Sequence, residues 1–143
     1  MSITNKASAH WQGDLKTGQG SVSTASGSLA KTPYGFKNRF EGEPGTNPEE
    51  LIGAAHASCY SMALSMILGE AGFTADSIDT QATVKLDQDD SGFSITAIHL
   101  ETTAKIPGAD DAAFQDAANK AKAGCPISKL FNAEITLEAK LAN

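Results

Sequence analysis

The sequence predicts an α+β fold, with a mostly antiparallel sheet wrapped around one long, apolar central helix. Three observations carry that expectation. A capping motif at 46–50 opens an extended apolar stretch with helical spacing. Residues 77–105 alternate as two strands joined by a tight turn. The elements run strands, long helix, hairpin, helix, strand, which segregates helices from strands. At 143 residues the chain fits a single domain, 1–143.

Ala7, Ala9 and Trp11 alternate with Ser8 and His10, predicting a half-buried first strand. Gly13-Asp14 reads as a turn, and 21–25 as a second strand. Residues 36–40 read as a third, set between Pro33 and Gly35 before and Gly42 and Gly45 after. Asn47 suits an N-cap, Pro48 the first helical position and Glu50 the N3 place of a capping box. Behind the cap, Leu51, Ile52, Ala55, Cys59, Met62, Ala63, Met66 and Ile67 recur at helical spacing. So apolar a helix should be heavily buried, with Gly72 as its stop.

Ile78, Thr80, Ala82, Val84 and Leu86 alternate up to an Asp89-Asp90-Ser91-Gly92 turn. Phe93, Ile95 and Ala97 follow, but Ile98 and Leu100 have the opposite parity. One extra residue near Ala97, a β-bulge, restores a single buried face. Asp110 or Asp111 caps a second helix reaching about Ala123, striped by Ala113 or Phe114, Ala117 and Ala121, with Gly124 to close it. Pro126 can open one more helical turn. Residues 133–141 alternate as a final strand.

The net charge of -6, without any Lys/Arg cluster, argues against nucleic acid or an anionic membrane as partner. No apolar stretch approaches the roughly 20 residues that span a bilayer. The first residues lack the apolar core of a signal peptide, which points to the cytoplasm. A hydrophobic content of 41% is slightly low for a lone monomer and favours a partner subunit.

Cys59 and Cys125 are the two cysteines. In a reducing compartment such thiols are free or form a redox pair more often than a structural bridge. Cys59 lies on the apolar stripe of the long helix, where it reads either as a small core residue or as a reactive thiol. In the second case, a mid-helix thiol needs a neighbouring cation to ionise. Arg39 is the one arginine in the chain, and it is either an ordinary surface residue or a rigid, bidentate fork. Cys125 sits between a helix-ending Gly and a Pro, so its sulfur can face free amides at a helix start; the plainer reading is a buried cap. Spacing alone does not bring the two thiols together. His10, His56 and His99 are scattered, and no paired metal-ligand spacing is present. His56 reads as a packing residue or as one beside the site.

The segment from Thr46 to Cys59, TNPEELIGAAHASC, resembles the first signature of the OsmC/Ohr family, the osmotically inducible and organic hydroperoxide resistance proteins. Gly124 to Ser128, GCPIS, resembles the second, and Pro33 to Gly42 is similar to the OsmC branch in particular. The resemblance runs along essentially the whole chain. It implies an intertwined homodimer and a thiol-dependent peroxidase acting on organic hydroperoxides. Cys59 would be the peroxidatic thiol and Cys125 the resolving one, with Arg39 and Glu49 activating Cys59. It also implies a dithiol reductant, lipoyl groups being best known for the Ohr branch, and no metal, flavin or haem.

Ten helical residues cover about 15 Å, so Glu49 should serve Cys59 of a partner subunit unless the helix breaks. Phe36, Phe40, Tyr60, Met62 and Phe131 are candidates for an apolar pocket wall, each with plain core packing as its alternative. The competing function is a non-catalytic protein holding an apolar small molecule at a dimer cleft.

Overall fold

The computed structural model describes residues 1–130 and 136, and the chain falls into two compact units, Met1–Ile52 and Gly53–Asn143. The final strand expected at 133–141 lies outside the described residues, apart from Thr136, and so does Phe131.

In the first unit, β1 (Ala7–Gln12), β2 (Gln19–Thr24) and β3 (Thr32–Tyr34) form an antiparallel sheet in that order. Asp14 closes the β1–β2 turn by accepting from the Lys16 and Thr17 amides at 2.9 and 2.8 Å. Trp11 and Tyr34 meet across Gly20, their ring centroids 5.5 Å apart. A Cβ at Gly20 would run into both rings, so the small residue is a packing requirement. β1 departs from the half-buried expectation, because every one of its residues is exposed in this chain.

The third expected strand is instead a helix, α1 (Phe36–Phe40), closed by bonds such as Arg39 N–H to Gly35 O at 3.2 Å. The sequence reading fails here for a definable reason. A spacing of four places Phe36 and Phe40 on one face under both the strand and the helix period. Their rings do pack, with centroids 4.8 Å apart. The observed third strand, β3, lies just before.

Helix α2 (Pro48–Glu70) starts as expected, with the Asn47 side chain accepting from the Glu50 amide at 2.8 Å. Its end is a Schellman motif. The Phe73 amide reaches Leu68 O at 2.9 Å and the Gly72 amide reaches Gly69 O at 3.0 Å, with Gly72 left-handed at φ 87°. Open space surrounds Gly72, so Gly72→Ala tests backbone strain alone. It is expected to destabilise by about 1–2 kcal/mol, read as a lower urea midpoint with an unchanged slope.

In the second unit, β4 (Ser77–Asp89) and β5 (Gly92–Lys105) make the expected hairpin. Lys85 pairs with Ala97 but Leu86 with Ile95, so Thr96 is the extra residue, one position from where parity placed the bulge. Asp110 caps α3 (Asp111–Gly124) by accepting from the Ala113 amide at 2.8 Å. Tyr60, Leu64 and Leu68 of α2 pack with Ala117 and Ala121 of α3 to form the core. A hydroxyl chain from Ser61 to Thr80 (2.8 Å) to Thr102 (3.0 Å) ties α2 to both strands.

The buried face of α2 is therefore Gly53, His56, Tyr60, Leu64 and Leu68, and not the predicted stripe. Met62 and Met66 stand 76% and 61% exposed. Nearly every position of this helix is apolar or small, so periodicity cannot choose the face. Nor does α2 respect the expectation that no stretch is long enough for a bilayer. Its 23 residues, with a mean hydropathy of 1.5 over an 18-residue window, meet that test by length and composition. That expectation treats Ser and His as interruptions, whereas the average absorbs them. Only 28% of that window is buried in this chain, so α2 is not the heavily buried helix expected, although Tyr60, Leu64 and Leu68 pack on α3 and the hairpin.

Candidate active site

Two pairs of side chains hold the residues singled out from sequence. The first lies in Met1–Ile52. Arg39, in the last turn of α1, faces Glu49, in the first turn of α2. The guanidinium donates from Nε to both carboxylate oxygens at 3.2 Å and from Nη2 to Oε1 at 2.7 Å. This fork geometry is available to arginine and not to lysine. The carboxylate is 13% exposed and the guanidinium side chain 36%, so one end is anchored while the cation keeps a free side. Arg39 also lies over the Phe40 ring, 5.3 Å from its centroid. The loop between the two residues is held by Asn38 Nδ2, which donates to Pro44 O at 2.8 Å. At its end, the Thr46 hydroxyl donates to Pro33 O at 3.0 Å.

The second pair lies in Gly53–Asn143. Cys59 on α2 and Cys125 at the C-cap of α3 are both free thiols, near enough that each shifts the ionisation of the other. Cys125 is fully buried, whereas Cys59 is only partly so. Beyond Cys125 the chain turns, with Lys129 N–H bonding to Cys125 O at 3.3 Å, and the Ile127 and Ser128 amides point at the Cys125 sulfur. Residues 126–129 form a turn, and its amides favour the sulfur anion as those of a helix start favour an N-cap oxygen.

These contacts split the two thiols. Burial pushes the Cys59 thiol up, and donating to Cys125 pushes it further, against a small opposing effect of the Ile127 amide. Burial also opposes the Cys125 anion, but donation from Cys59, from the Ser128 amide and hydroxyl and from the Ile127 amide outweighs it. Cys125 is therefore held below the ordinary thiol value. Among the described residues of this unit, the groups that shift Cys59 are Cys125 and the Ile127 amide, and no cation is among them.

Ser128 is the residue that sequence reasoning passed over. Its spacing of three from Cys125 is the N-cap spacing, a signal present in the motif. Its hydroxyl also lies 2.9 Å from His56 Nε2. His56 is thus tied to the site through Ser128 and is not merely a packing residue. Of the candidate pocket residues, Phe36 and Phe40 belong to the first unit and Tyr60 and Met62 to the second, while Phe131 lies outside the described residues. Tyr60 belongs to the core, 3% exposed, with its hydroxyl donating to Ala118 O at 3.4 Å. Met62 is exposed on α2. Phe36 lines a mixed cavity of about 660 Å³ with Tyr34, Lys37 and Glu43, and Phe40 packs against Phe36 and Arg39.

Residues 40–140 match the family model described as OsmC-like protein, a span that holds Glu49, Cys59 and Cys125 and begins one residue after Arg39. The chain is 60% identical over 141 residues, 99% of each chain, to Peroxiredoxin OsmC of Escherichia coli strain K12. It is 35% identical over 103 residues, 70% of this chain and 74% of the relative, to the organic hydroperoxide resistance protein OhrB of Bacillus subtilis strain 168. The crystal structure of B. subtilis OhrB superposes with a TM-score of 0.67 at 28% identity, covering 90% of each chain. With both cysteine motifs inside the matched span, the chain belongs to the OsmC-like protein family.

Proposed function

We infer that the protein is a thiol-dependent peroxidase that reduces organic hydroperoxides to alcohols. The observation that carries this reading is the contact between two free sulfurs 66 positions apart in the chain. Cys59, the more accessible sulfur, attacks the O–O bond as a thiolate. One oxygen stays as the Cys59 sulfenic acid, and the other leaves with a proton as the alcohol. Cys125 then displaces the sulfenic oxygen as water and forms a disulfide. An external dithiol restores both thiols by exchange, and we favour a lipoyl-type dithiol over glutathione because it can close its own ring. We place the reaction in the cytoplasm, where thiol reductants are maintained.

A partly buried Cys59 requires a positive group, and Arg39, held by Glu49, is our choice. α2 is unbroken from Pro48 to Glu70, and its ten residues between Glu49 and Cys59 span about 15 Å. We therefore assign Arg39 and Glu49 to Cys59 of a second copy, in an intertwined homodimer. The exposed β1 and the bare Met62 and Met66 support a partner subunit. We read the two units as one OsmC-like domain per chain, since the family match runs across their boundary.

The Cys125→Ser variant is expected to consume about one equivalent of cumene hydroperoxide and then stop, because no resolving thiol remains. Continued turnover of that variant under dihydrolipoamide alone would remove Cys125 from the cycle. The competing reading, a non-catalytic binder, predicts an unchanged count of free thiols after peroxide is added to the wild type. Two core cysteines would not need to bond to each other, which disfavours it.

A further inference from the structure

Helix α2 and the turn that follows α3 meet at two places in register. Cys59 and Cys125 are near enough to shift each other's ionisation. Three residues earlier on α2 and three later in the turn, His56 Nε2 and Ser128 Oγ lie 2.9 Å apart. A spacing of three keeps His56 and Cys59 on one side of the helix. The turn is braced over the same interval. Pro126 fixes its own φ, Lys129 N–H bonds to Cys125 O at 3.3 Å, and Leu130 N–H bonds to Ile127 O at 3.1 Å. On the other side, the Cys125 amide bonds to Ala121 O at 3.0 Å, and Ala121 belongs to the core that joins α3 to α2. Cys125 is thus held to α2 by the core before it and by the Ser128 bond after it.

We propose that the His56–Ser128 hydrogen bond is a clamp that holds the Cys125 turn on α2 and so sets how readily Cys125 resolves oxidised Cys59. The proposal rests on the peroxidase reading above and adds a positioning pair to it. In resolution the Cys125 sulfur attacks the sulfur of Cys59–SOH. The S–S bond forms, the S–O bond breaks, and the hydroxyl leaves with the Cys125 proton as water. Cys125 is oxidised in this step, and Cys59 is reduced from the sulfenic to the disulfide level. The competing step is a second hydroperoxide, which gives one oxygen to Cys59–SOH, leaves as the alcohol and strands the site as a sulfinic acid. A disulfide tolerates Cα separations of only about 4.4–6.8 Å, so a turn free to drift from α2 loses that competition.

The presence of a histidine here supports a positioning role. His56 is 6% exposed on an otherwise apolar face of α2, and burying an imidazole costs free energy unless it makes a bond. Among the described residues its side-chain bond is the one to Ser128, and Nδ1 has no partner there. An apolar residue would fill the same space without that cost, but it would leave the turn untied. Burial holds the imidazole below its ordinary value, so the ring is neutral at pH 7 and the clamp joins two uncharged groups. Neither His56 nor Ser128 reacts; both act through the placement of Cys125.

The test is the partition of Cys59–SOH between disulfide and sulfinic acid, read by intact mass after reduced protein meets increasing cumene hydroperoxide. This ratio does not depend on how fast the sulfenic acid forms. His56→Leu, which keeps an apolar helical side chain without the bond, should shift the partition toward sulfinic acid about fivefold, the effect of one hydrogen bond. Ser128→Ala should match it, and as a half-buried turn position it leaves the α2–α3 core intact. His56→Gln, whose terminal amide takes the place of Nε2, and Ser128→Thr, which keeps the hydroxyl, should restore the wild-type ratio. The equilibrium constant for forming the Cys59–Cys125 disulfide against a dihydrolipoamide couple should fall by the same factor in His56→Leu and Ser128→Ala. A wild-type partition in both of those variants, or equal damage in His56→Gln and His56→Leu, would overturn the clamp. Failure of the wild type to form either oxidised product would instead overturn the peroxidase reading itself.

Discussion

The Cys59→Ser variant is expected to consume no organic hydroperoxide above the uncatalysed background, even at one equivalent. The expectation is not trivial, because the local contacts favour the other sulfur as the anion. Four donors converge on Cys125 and lower it, while burial and donation raise Cys59. Read by ionisation alone, Cys125 would be the attacking thiol. Access decides the matter the other way. Cys125 is 0% exposed, and a hydroperoxide must bring its O–O bond in line with the sulfur, at about 3–3.5 Å, before any bond can form. A fully enclosed anion is unreachable however abundant it is. Cys59 is partly exposed, and its thiolate deficit is removable by a cation. Serine cannot substitute there, since its hydroxyl does not ionise near neutrality and is activated only by an adjacent base. The measurement is ferrous-oxidation detection of residual cumene hydroperoxide after incubation with stoichiometric reduced variant. Consumption of one full equivalent by Cys59→Ser would reverse the assignment of the two sulfurs.

Much of this arrangement is legible in the sequence where its determinants are local. Asn47, Pro48 and Glu50 announce the start of α2 because a cap needs only three or four neighbours. The parity break between Ala97 and Ile98 announces the bulge, because a strand allows only two faces. Arg39 and Glu49 stand out through residue chemistry, one rigid fork and one acidic residue on a helix start. What stays hidden depends on tertiary choice. A spacing of four between Phe36 and Phe40 is consistent with a strand and with α1. The buried face of α2 is undetermined while Ala54, Ala57, Met62 and Leu64 are all apolar enough to face inward. Tyr60 shows the cost of that ambiguity. Its ring could line a pocket or pack in the core, and its burial against Ala117 and Ala121 decides for the core. Ser128 was readable in principle, since the N-cap rule applies to a sulfur acceptor as to an oxygen, but the link to His56, 72 positions away, was not.

Arg39→Met is expected to lower the rate of peroxide reduction at pH 7 by about 10- to 1000-fold, the effect of removing a cation that depresses a thiol by roughly one to three pKa units. The sign of the pH dependence follows from Cys59. Its thiol is raised by burial, so without the guanidinium the thiolate fraction climbs about tenfold per pH unit, and the variant should approach the wild type in alkaline buffer. Arg39→Lys should fall between the two, because an ammonium keeps the charge but cannot hold Glu49 through Nε and Nη2 together. The same variant locates the cation. Mixing Arg39→Met chains, slowed at pH 7, with Cys59→Ser chains, inactive alone, creates mixed dimers. If Arg39 serves the partner's thiol, each mixed dimer holds one site with an intact Cys59 from one chain and an intact Arg39 from the other. Random exchange makes about half of the dimers mixed, so about a quarter of wild-type activity returns. If Arg39 serves its own chain, every site in the mixture carries a defect and no activity returns. Recovery after subunit exchange is thus a direct reading of which chain supplies the charge, and it does not depend on how strongly either substitution perturbs stability so long as both variants remain dimeric.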